Sequence, residues 1–599
     1  STIMKLNLYF ASALMLGACS LQSCLDYDNP GAEFNSLQTQ ESPEKHQGNV
    51  DKIDFSKLAT QEEVTEALEA LKINLGQSKT AQYYLRGGKD GKTPAAHAYQ
   101  FQYNLGIDAY AQYLVVPHKD FPYSNTTLTS SYNISEKFNG GPHGGYGGAK
   151  NALMPLLNHP MIDRVPELKA INLLYYCLAA QERADLSGPF SYLEDKQNSE
   201  NPTIYNDLPT IYNGIVSNLN TIVACLKNYE TRPDWYKQEI AKALNQYNVT
   251  SRAKLMGKPG IESYIALANS LKLRMAMHIV KVNPTLAKQW AEEAVASGVV
   301  ERVEDQQGIF QLISGFSHPL VELANSWNDT RLSASFESLL MSLDHPMTKY
   351  FWKKNSLDIK NPRTGEVLEK DQRIVGIRTG TRVKDGQSPE SNEYERYSSF
   401  NSDPIAEAPL YFVKYAEVCF LRAEGALRGW NMGGTAEHFY NEGVRHSYFE
   451  DPENLNYSEF PQYIDEYLKK EQPTPYVQKD PMGGEDWASV TKIGVKWNEA
   501  DDREVKLEKI ITQKYIALFP LSTEAWAELR RTGYPKLFPV LNPEDGDGTL
   551  DYGDIIRRVP WLPTDPQGQA IVDRGGLHAL GGADFQGTRL WWDVPGPNF

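Results

Sequence analysis

The chain has 599 residues, 41% of them apolar and 23% charged, and 60 Lys and Arg against 76 Asp and Glu leave a formal charge of −16. That is the composition of a folded protein, so wholesale disorder is excluded. So acidic a surface also disfavours nucleic acid and anionic membrane as partners.

At the start, Lys5 precedes an apolar run over 6–16 and then Leu21, Gln22, Ser23 and Cys24. This pattern predicts a cleaved export signal over 1–23 with Cys24 as the lipidated first residue of the mature chain. The apolar run is far shorter than the roughly 20 residues a membrane span needs. Cys19 is a competing acceptor, but counted from Met4 a cut before it leaves an unusually short signal, whereas Leu25, Asp26, Tyr27 and Asp28 give Cys24 an acidic follow-on. An ordinary secretory signal with two incidental cysteines is the plainer alternative. Residues 24–50 are polar and interrupted by Pro30, Gly31, Pro43 and Gly48, which reads as a flexible tether.

From 51 to 599 the spacing predicts one mainly α-helical domain with few short strands. Helical patterns cover 61–75, 96–115, 167–185, 208–226 and 261–280. Leu168, Ile171, Leu174, Tyr175 and Leu178 recur at helical spacing, and Gly188 and Pro189 stop the run. After Asn283 and Pro284 a second helix passes through Trp290 and Val295 to Gly298, so two helices and a tight turn fit within 261–298. A similar hairpin spans 409–445, turning at Gly429, Gly433 and Gly434. Such pairs suit tetratricopeptide-like hairpins, although their period is too irregular for a clean solenoid. Two stretches, about 310–404 and 448–501, are rich in Gly, Pro, Asn and Asp and lack periodicity, which predicts long functional inserts. Cys177, Cys225 and Cys419 sit in apolar helical patterns, either as core thiols or with Cys177 and Cys225 bridged.

Catalytic constellations are not evident. The chain has no HExxH, CxxC or GxSxG element. The glycine run over 140–148 ends in Ala149, Lys150 and Asn151, lacking the Ser or Thr that a phosphate loop needs for magnesium. Carboxylate pairs suited to glycoside cleavage will occur by chance among so many acidic residues. Asp545, Asp547 and Asp551 offer alternate oxygens, yet Leu550 takes the position where an EF-hand needs glycine. A weak calcium site there competes with a solvated acidic loop, and no other cofactor is expected.

Binding residues are sought in the loops, since aromatic faces amid Asn, Ser and Gly provide contact area with little entropy to lose. Trp327, Asn328 and Asp329 set a flat face beside amide and carboxylate groups; the alternative is a Trp packed beneath its loop. Tyr123, Tyr132, Phe138, His143 and Tyr146 lie in a loop over 117–148, and Arg378, Tyr394 and Tyr397 lie in the later insert. Such groups would stack on a sugar ring and bond its hydroxyls without a covalent step.

The C-terminal third then gives a specific pattern: IITQKYIALFP at 510–520, EAWAELRRTGYP at 524–535, IIRRVP at 555–560 and TRLWWD at 588–593. With RLSASFESLL at 331–340 and GIRTG at 376–380, the chain resembles the SusD/RagB family of surface lipoproteins. Asp344, His345, Pro346 and Met347 depart from the Asp-Pro-Arg turn expected in one branch of it. The resemblance implies a tetratricopeptide-like scaffold with irregular inserts, lipid-anchored at the outer-membrane surface and docked as a lid on a SusC-like TonB-dependent transporter. It also implies non-catalytic capture of oligosaccharide, with oligopeptide cargo as the alternative. A protein-interaction adaptor without a small-molecule site is the reading from a different class. Arg530, Arg531 and Arg557 are expected to tie loops by pairing with carboxylates or carbonyls.

Overall fold

Local side-chain chemistry sets where the helices begin. Thr60 and Glu63 exchange side-chain and backbone hydrogen bonds in a capping box, opening helix α1, Gln61–Tyr84. The computed structural model describes residues 50–88, 95–118, 120–121, 126–127, 130–132, 141–193, 205–248, 260–305, 307–309, 317–384, 392–406, 408–447, 460–561, 563 and 565–599. The expected signal, Cys24, the tether up to residue 49, Tyr123 and Phe138 therefore lie outside the described residues.

Helix α2, Gly144–Leu157, packs against α1, and α3, Pro166–Ser187, follows. Pro166 suits the first turn of α3, where no backbone donor is needed, and Gly188 ends the helix at φ 88°. Asp207 caps α4, Leu208–Asn228, by accepting from the Thr210 N–H, and α5 spans Asp234–Tyr247. Asn283 separates α6, Ile261–His278, from α7, Pro284–Ser297, and caps the latter. Beyond α8, Ala334–Ser342, come α9, Tyr415–Leu427, α10, Ala436–Arg445, α11, Arg503–Leu518, and α12, Ser522–Thr532.

Successive helices pack as pairs: α1 with α2, α3 with α4, α6 with α7, α9 with α10, and α11 with α12. The hairpins expected over 261–298 and 409–445 are both present. Helices α3, α6 and α11 are buried on nearly every side and form the middle of the molecule. On α4 the apolar face is narrower: Ile211, Ile215, Leu219, Ile222 and Leu226 are all buried, each contributing about 1.5–3 kcal/mol. One apolar core runs from Val50 to Trp592. The sheet content consists of two-stranded ladders, among them Leu114–Val115 on Arg331–Leu332 and Val477–Gln478 on Trp487–Ala488.

Two expectations are corrected. The single helix over 96–115 is three pieces, Ala96–Tyr99, a π-helical turn Gln100–Asn104 and Ile107–Tyr110, followed by the strand Leu114–Val115. Gly106 leaves helical geometry and Gln112 adopts φ 57°, which turns the chain into the ladder. The loop over 117–148 ends early, because Gly144 begins α2. Two of its glycines serve contact: a Cβ on Gly145 would lie 2.1 Å from Gln102 Nε2, and one on Gly148 would lie 2.4 Å from the Tyr84 ring. Cys177, Cys225 and Cys419 are buried and remain thiols, and burial pushes Cys177 up to about 12.

Inside the helical stack lies a dense ionic network. Arg531 on α12 bridges Glu424 at 2.7 Å and Glu528 at 2.6 Å, and Lys514 on α11 meets Glu528 at 3.0 Å. Arg274 on α6 pairs with Glu417 at 2.6 Å and lies 3.7 Å from Glu524. His278 reaches Glu524 at 2.7 Å and Asp185 at 3.1 Å, while Arg428 pairs with Glu424 at 3.0 Å. With His278 protonated, five cations face five carboxylates in these contacts. Each charge removed from water thus has a partner, the condition under which buried ions are tolerated.

Candidate functional site

Helix α8 holds the loops of the long inserts in place. Ser333 caps it by accepting from Phe336 N–H, and buried Glu337 accepts from Gly376 N–H at 2.8 Å, from Gln478 Nε2 at 3.3 Å and from the Tyr476 hydroxyl. One carboxylate therefore joins the 376–380 segment to the ladder at Val477–Gln478. Burial, opposed by these donors, raises Glu337 to about 7. The segment itself runs close to other backbone: Gly380 has φ 90°, and a Cβ there would lie 1.8 Å from the Leu541 carbonyl oxygen.

Trp327 is 36% exposed, on a loop that follows a π-helical turn, Glu322–Ser326. Asn328 adopts φ 56°, a conformation asparagine tolerates, and its Oδ1 accepts from Arg331 Nη2 at 2.9 Å. Arg331 is buried and also donates to the carbonyl oxygens of Ala324 at 2.8 Å, Thr330 at 2.7 Å and Glu395 at 2.5 Å. The Trp327 loop is thereby fastened to the turn Glu393–Arg396, which carries Tyr394. Tyr394 packs against Tyr397 with ring centroids 5.7 Å apart, and the Tyr397 hydroxyl donates to Asp480. Beside them Arg378 stacks 4.6 Å above the Trp487 ring and donates from Nε to Gln478 at 3.3 Å. Arg378 is 7% exposed, its Nη2 has no hydrogen-bond partner, and burial lowers its pKa against the pull of Asp480, Glu485 and Asp486.

The expected site residues thus divide. Trp327, Asn328 and Tyr394 lie on two loops joined through Arg331, and Arg378, itself buried, lies on a segment tied to Gln478, next to the Asp480 that holds Tyr397. Asp329 is buried: it bonds Gln100 Nε2 and His118 Nε2, each at 2.7 Å, and so braces the loop from beneath. Tyr132 and Tyr146 are core residues and are removed from the site. The Tyr132 hydroxyl accepts from the Ile556 N–H at 2.6 Å, and the Tyr146 ring meets Phe190 edge-on at 5.1 Å. His143 is buried as well, bonded to Ser187 at 2.8 Å. Asp480 and Trp487, which contact Tyr397 and Arg378, are not singled out by the sequence, although Trp487 sits in an expected insert among Gly, Glu and Asp.

Two carboxylates of the acidic segment at 545–551 are engaged within the chain, while Asp551 is exposed. Asp545 pairs with Arg382 at 2.8 Å, and Asp547 accepts from Thr549 N–H and Gln586 N–H. Among the described residues, donor atoms of His278, Glu524 and Glu528 also converge closely enough for a metal. That cluster does not fit one, because Lys514, Arg531 and Arg274 already supply its positive charge.

A family model described as the SusD and RagB outer membrane lipoprotein matches residues 59–593. The chain belongs to the SusD/RagB family. Among solved structures, a chitin-binding SusD homologue from Flavobacterium johnsoniae is 30% identical with a TM-score of 0.71, over 88% of this chain and 100% of the other. A SusD homologue from Bacteroides vulgatus is 27% identical with a TM-score of 0.71, over 89% and 100%. A SusD-like protein from Bacteroides thetaiotaomicron is 25% identical with a TM-score of 0.68, over 87% and 99%. No curated protein sequence matches. Among the described residues of this SusD-like chain, no helix is long and apolar enough to cross a membrane. Arg530, Arg531 and Arg557, in the most specific family segments, pair internally: Arg531 as above, Arg530 with the Arg557 carbonyl at 3.0 Å, and Arg557 with Asp593 at 3.3 Å.

Proposed function

We propose that this SusD-like chain is a non-catalytic lipoprotein, anchored through Cys24 at the outer-membrane surface, that captures oligosaccharide and passes it to a SusC-like TonB-dependent transporter. The reading takes as its binding strip the partly exposed rings of Trp327, Tyr394 and Trp487 together with Asn328, Asp480 and Arg378, on segments joined through Arg331 and Tyr397. Aromatic faces stack on the apolar faces of sugar rings, while amide, carboxylate and guanidinium groups bond the hydroxyls. The chitin-binding relative at 30% identity supports carbohydrate as the cargo class. These groups recognise a ligand by contact and leave its bonds intact.

Calorimetry of the purified chain against oligosaccharide pools is expected to detect binding, and Trp327→Ala to weaken it by about 1–2 kcal/mol, roughly five- to thirty-fold. Unchanged affinity in that variant would take Trp327 out of the site, and binding of peptide pools alone would overturn the glycan reading. For the anchor, Cys24→Ala is expected to move the protein out of the outer-membrane fraction in cells lacking the transporter. The reason is that each buried acyl CH₂ contributes about 0.8 kcal/mol, so an unacylated chain has no comparable hold. Persistence in that fraction would argue against lipidation at Cys24.

A further inference from the structure

A cleft of about 500 Å³ opens beside the C-terminal end of α12, within the range of small-ligand sites. Lys281, Arg530, Lys536, Arg557 and Arg589 are among its lining residues, and none of the described lining residues is acidic. This is unexpected in a chain whose formal charge is −16.

The positive charge there is only partly answered. Arg557 and Arg589 share one carboxylate, Asp593, at 3.3 Å and 2.8 Å. Lys281 Nζ donates to the carbonyl oxygens of Gly596 at 3.0 Å and Arg531 at 3.5 Å, and no described carboxylate lies within 4 Å of it. Arg530, 3% exposed, is stacked 3.5 Å from the Trp526 ring and 4.8 Å from Trp592. Its Nε and Nη1 go to carbonyl oxygens, and its Nη2 has no hydrogen-bond partner. Among described ion pairs within 4 Å, Lys281, Arg530, Arg557 and Arg589 have the single carboxylate Asp593, while Glu504, Asp185 and Asp554 act on them from farther off and Lys536 pairs with Glu508 at 3.9 Å. Burial weakens the charged forms of Lys281 and Arg557 and pushes Arg530 down to about 10, against the pull of Asp593.

The cleft adjoins the aromatic strip. Phe538 lines it and meets the Trp487 ring edge-on at 5.2 Å, so a chain of sugars stacked near Trp487 has the cleft at its side.

We propose that this cleft receives the anionic group, a carboxylate or a sulfate ester, of an acidic saccharide, and so selects charged over neutral glycans. Guanidinium and ammonium donors recognise either group, and charge-assisted bonds of this kind are about twice as strong as neutral ones. The proposal rests on the carbohydrate reading above, and its test separates the two.

The purified chain is titrated calorimetrically with a galacturonate trisaccharide, the neutral galactose trisaccharide and the same trisaccharide carrying sulfate esters. At least one acidic probe is expected to bind about tenfold more tightly than the neutral one, with the preference fading as salt is raised. Which acidic probe it is identifies the anion. Lys281→Gln and Arg589→Gln are each expected to remove most of the preference while leaving neutral binding and the melting temperature in place, and Lys281→Arg to retain it. Equal affinity for acidic and neutral probes, or a preference untouched by both neutralising variants, would overturn the cleft assignment and leave the carbohydrate reading standing. Binding of none of the three probes would overturn the cleft assignment, while the oligosaccharide pools above decide the carbohydrate reading separately.

Discussion

Truncation of Arg531 to alanine is expected to cost about 3–5 kcal/mol of stability, the range seen when one partner of a buried ion pair is removed. Its guanidinium bonds both oxygens of Glu424 and both of Glu528, with Arg531 and both glutamates almost wholly buried. Without it the two carboxylates face each other, opposed by Lys514 and Arg428 and, less directly, by His278. Arg531→Lys keeps the charge but loses the two-pronged geometry, so an intermediate loss is expected. Denaturant unfolding followed by circular dichroism measures both variants. A loss under about 1 kcal/mol for Arg531→Ala, within the range of a surface pair, would mean that water reaches the carboxylates and that the network contributes little.

The second large effect is a dependence of stability on pH centred on His278. Burial alone would lower its pKa, but Glu524 and Asp185 on either side of the ring outweigh burial and raise it to about 10. Tyr212 also faces the ring, at 3.1 Å from Nδ1. A group whose pKa is raised on folding stabilises fully below its unfolded value, about 6.5, and that stabilisation disappears as pH climbs through the folded value. The loss on the alkaline side is on the order of 3–5 kcal/mol. Asp185, Glu424 and Glu528 behave oppositely: burial would raise them, yet His278 beside Asp185 and Arg531 beside the two glutamates hold all three below the usual carboxylate range. Their contribution is present above the unfolded carboxylate values, near 4, and is lost as pH falls. Stability is therefore expected to peak between about pH 5 and 6.5 and to decline on both sides. Thermal melts across pH check this, and His278→Gln should flatten the alkaline limb; an unchanged limb in that variant would place the titrating group elsewhere.

Much of the scaffold could be read from residue spacing, because helices such as α3 and α4 announce their buried faces by periodicity and their ends by Pro166, Gly188 and Asp207. Helix α2 could not, since glycine costs about 1 kcal/mol relative to alanine within a helix. The close approach of Gln102 and Tyr84 accounts for Gly145 and Gly148, and those partners are distant in sequence. The same limit applies to the site. Trp327 and Tyr132 look alike as loop aromatics, but one faces solvent while the hydroxyl of the other is committed to Ile556, 424 residues away. The cationic cleft was hidden for a related reason: Lys281 joins Arg557 and Arg589 only through the packing of α6 against the C-terminal segments.

The fastening of two loops by Arg331 has a thermodynamic consequence. One guanidinium satisfies three carbonyl oxygens and the Asn328 amide, so the segments bearing Trp327 and Tyr394 are held together without any ligand. Association with a face already arranged forfeits less conformational freedom than association that must first freeze its own segments. On the proposed function, discrimination among ligands would be a question of fit, met by exchanging the side chains on the strip without rebuilding the frame beneath it.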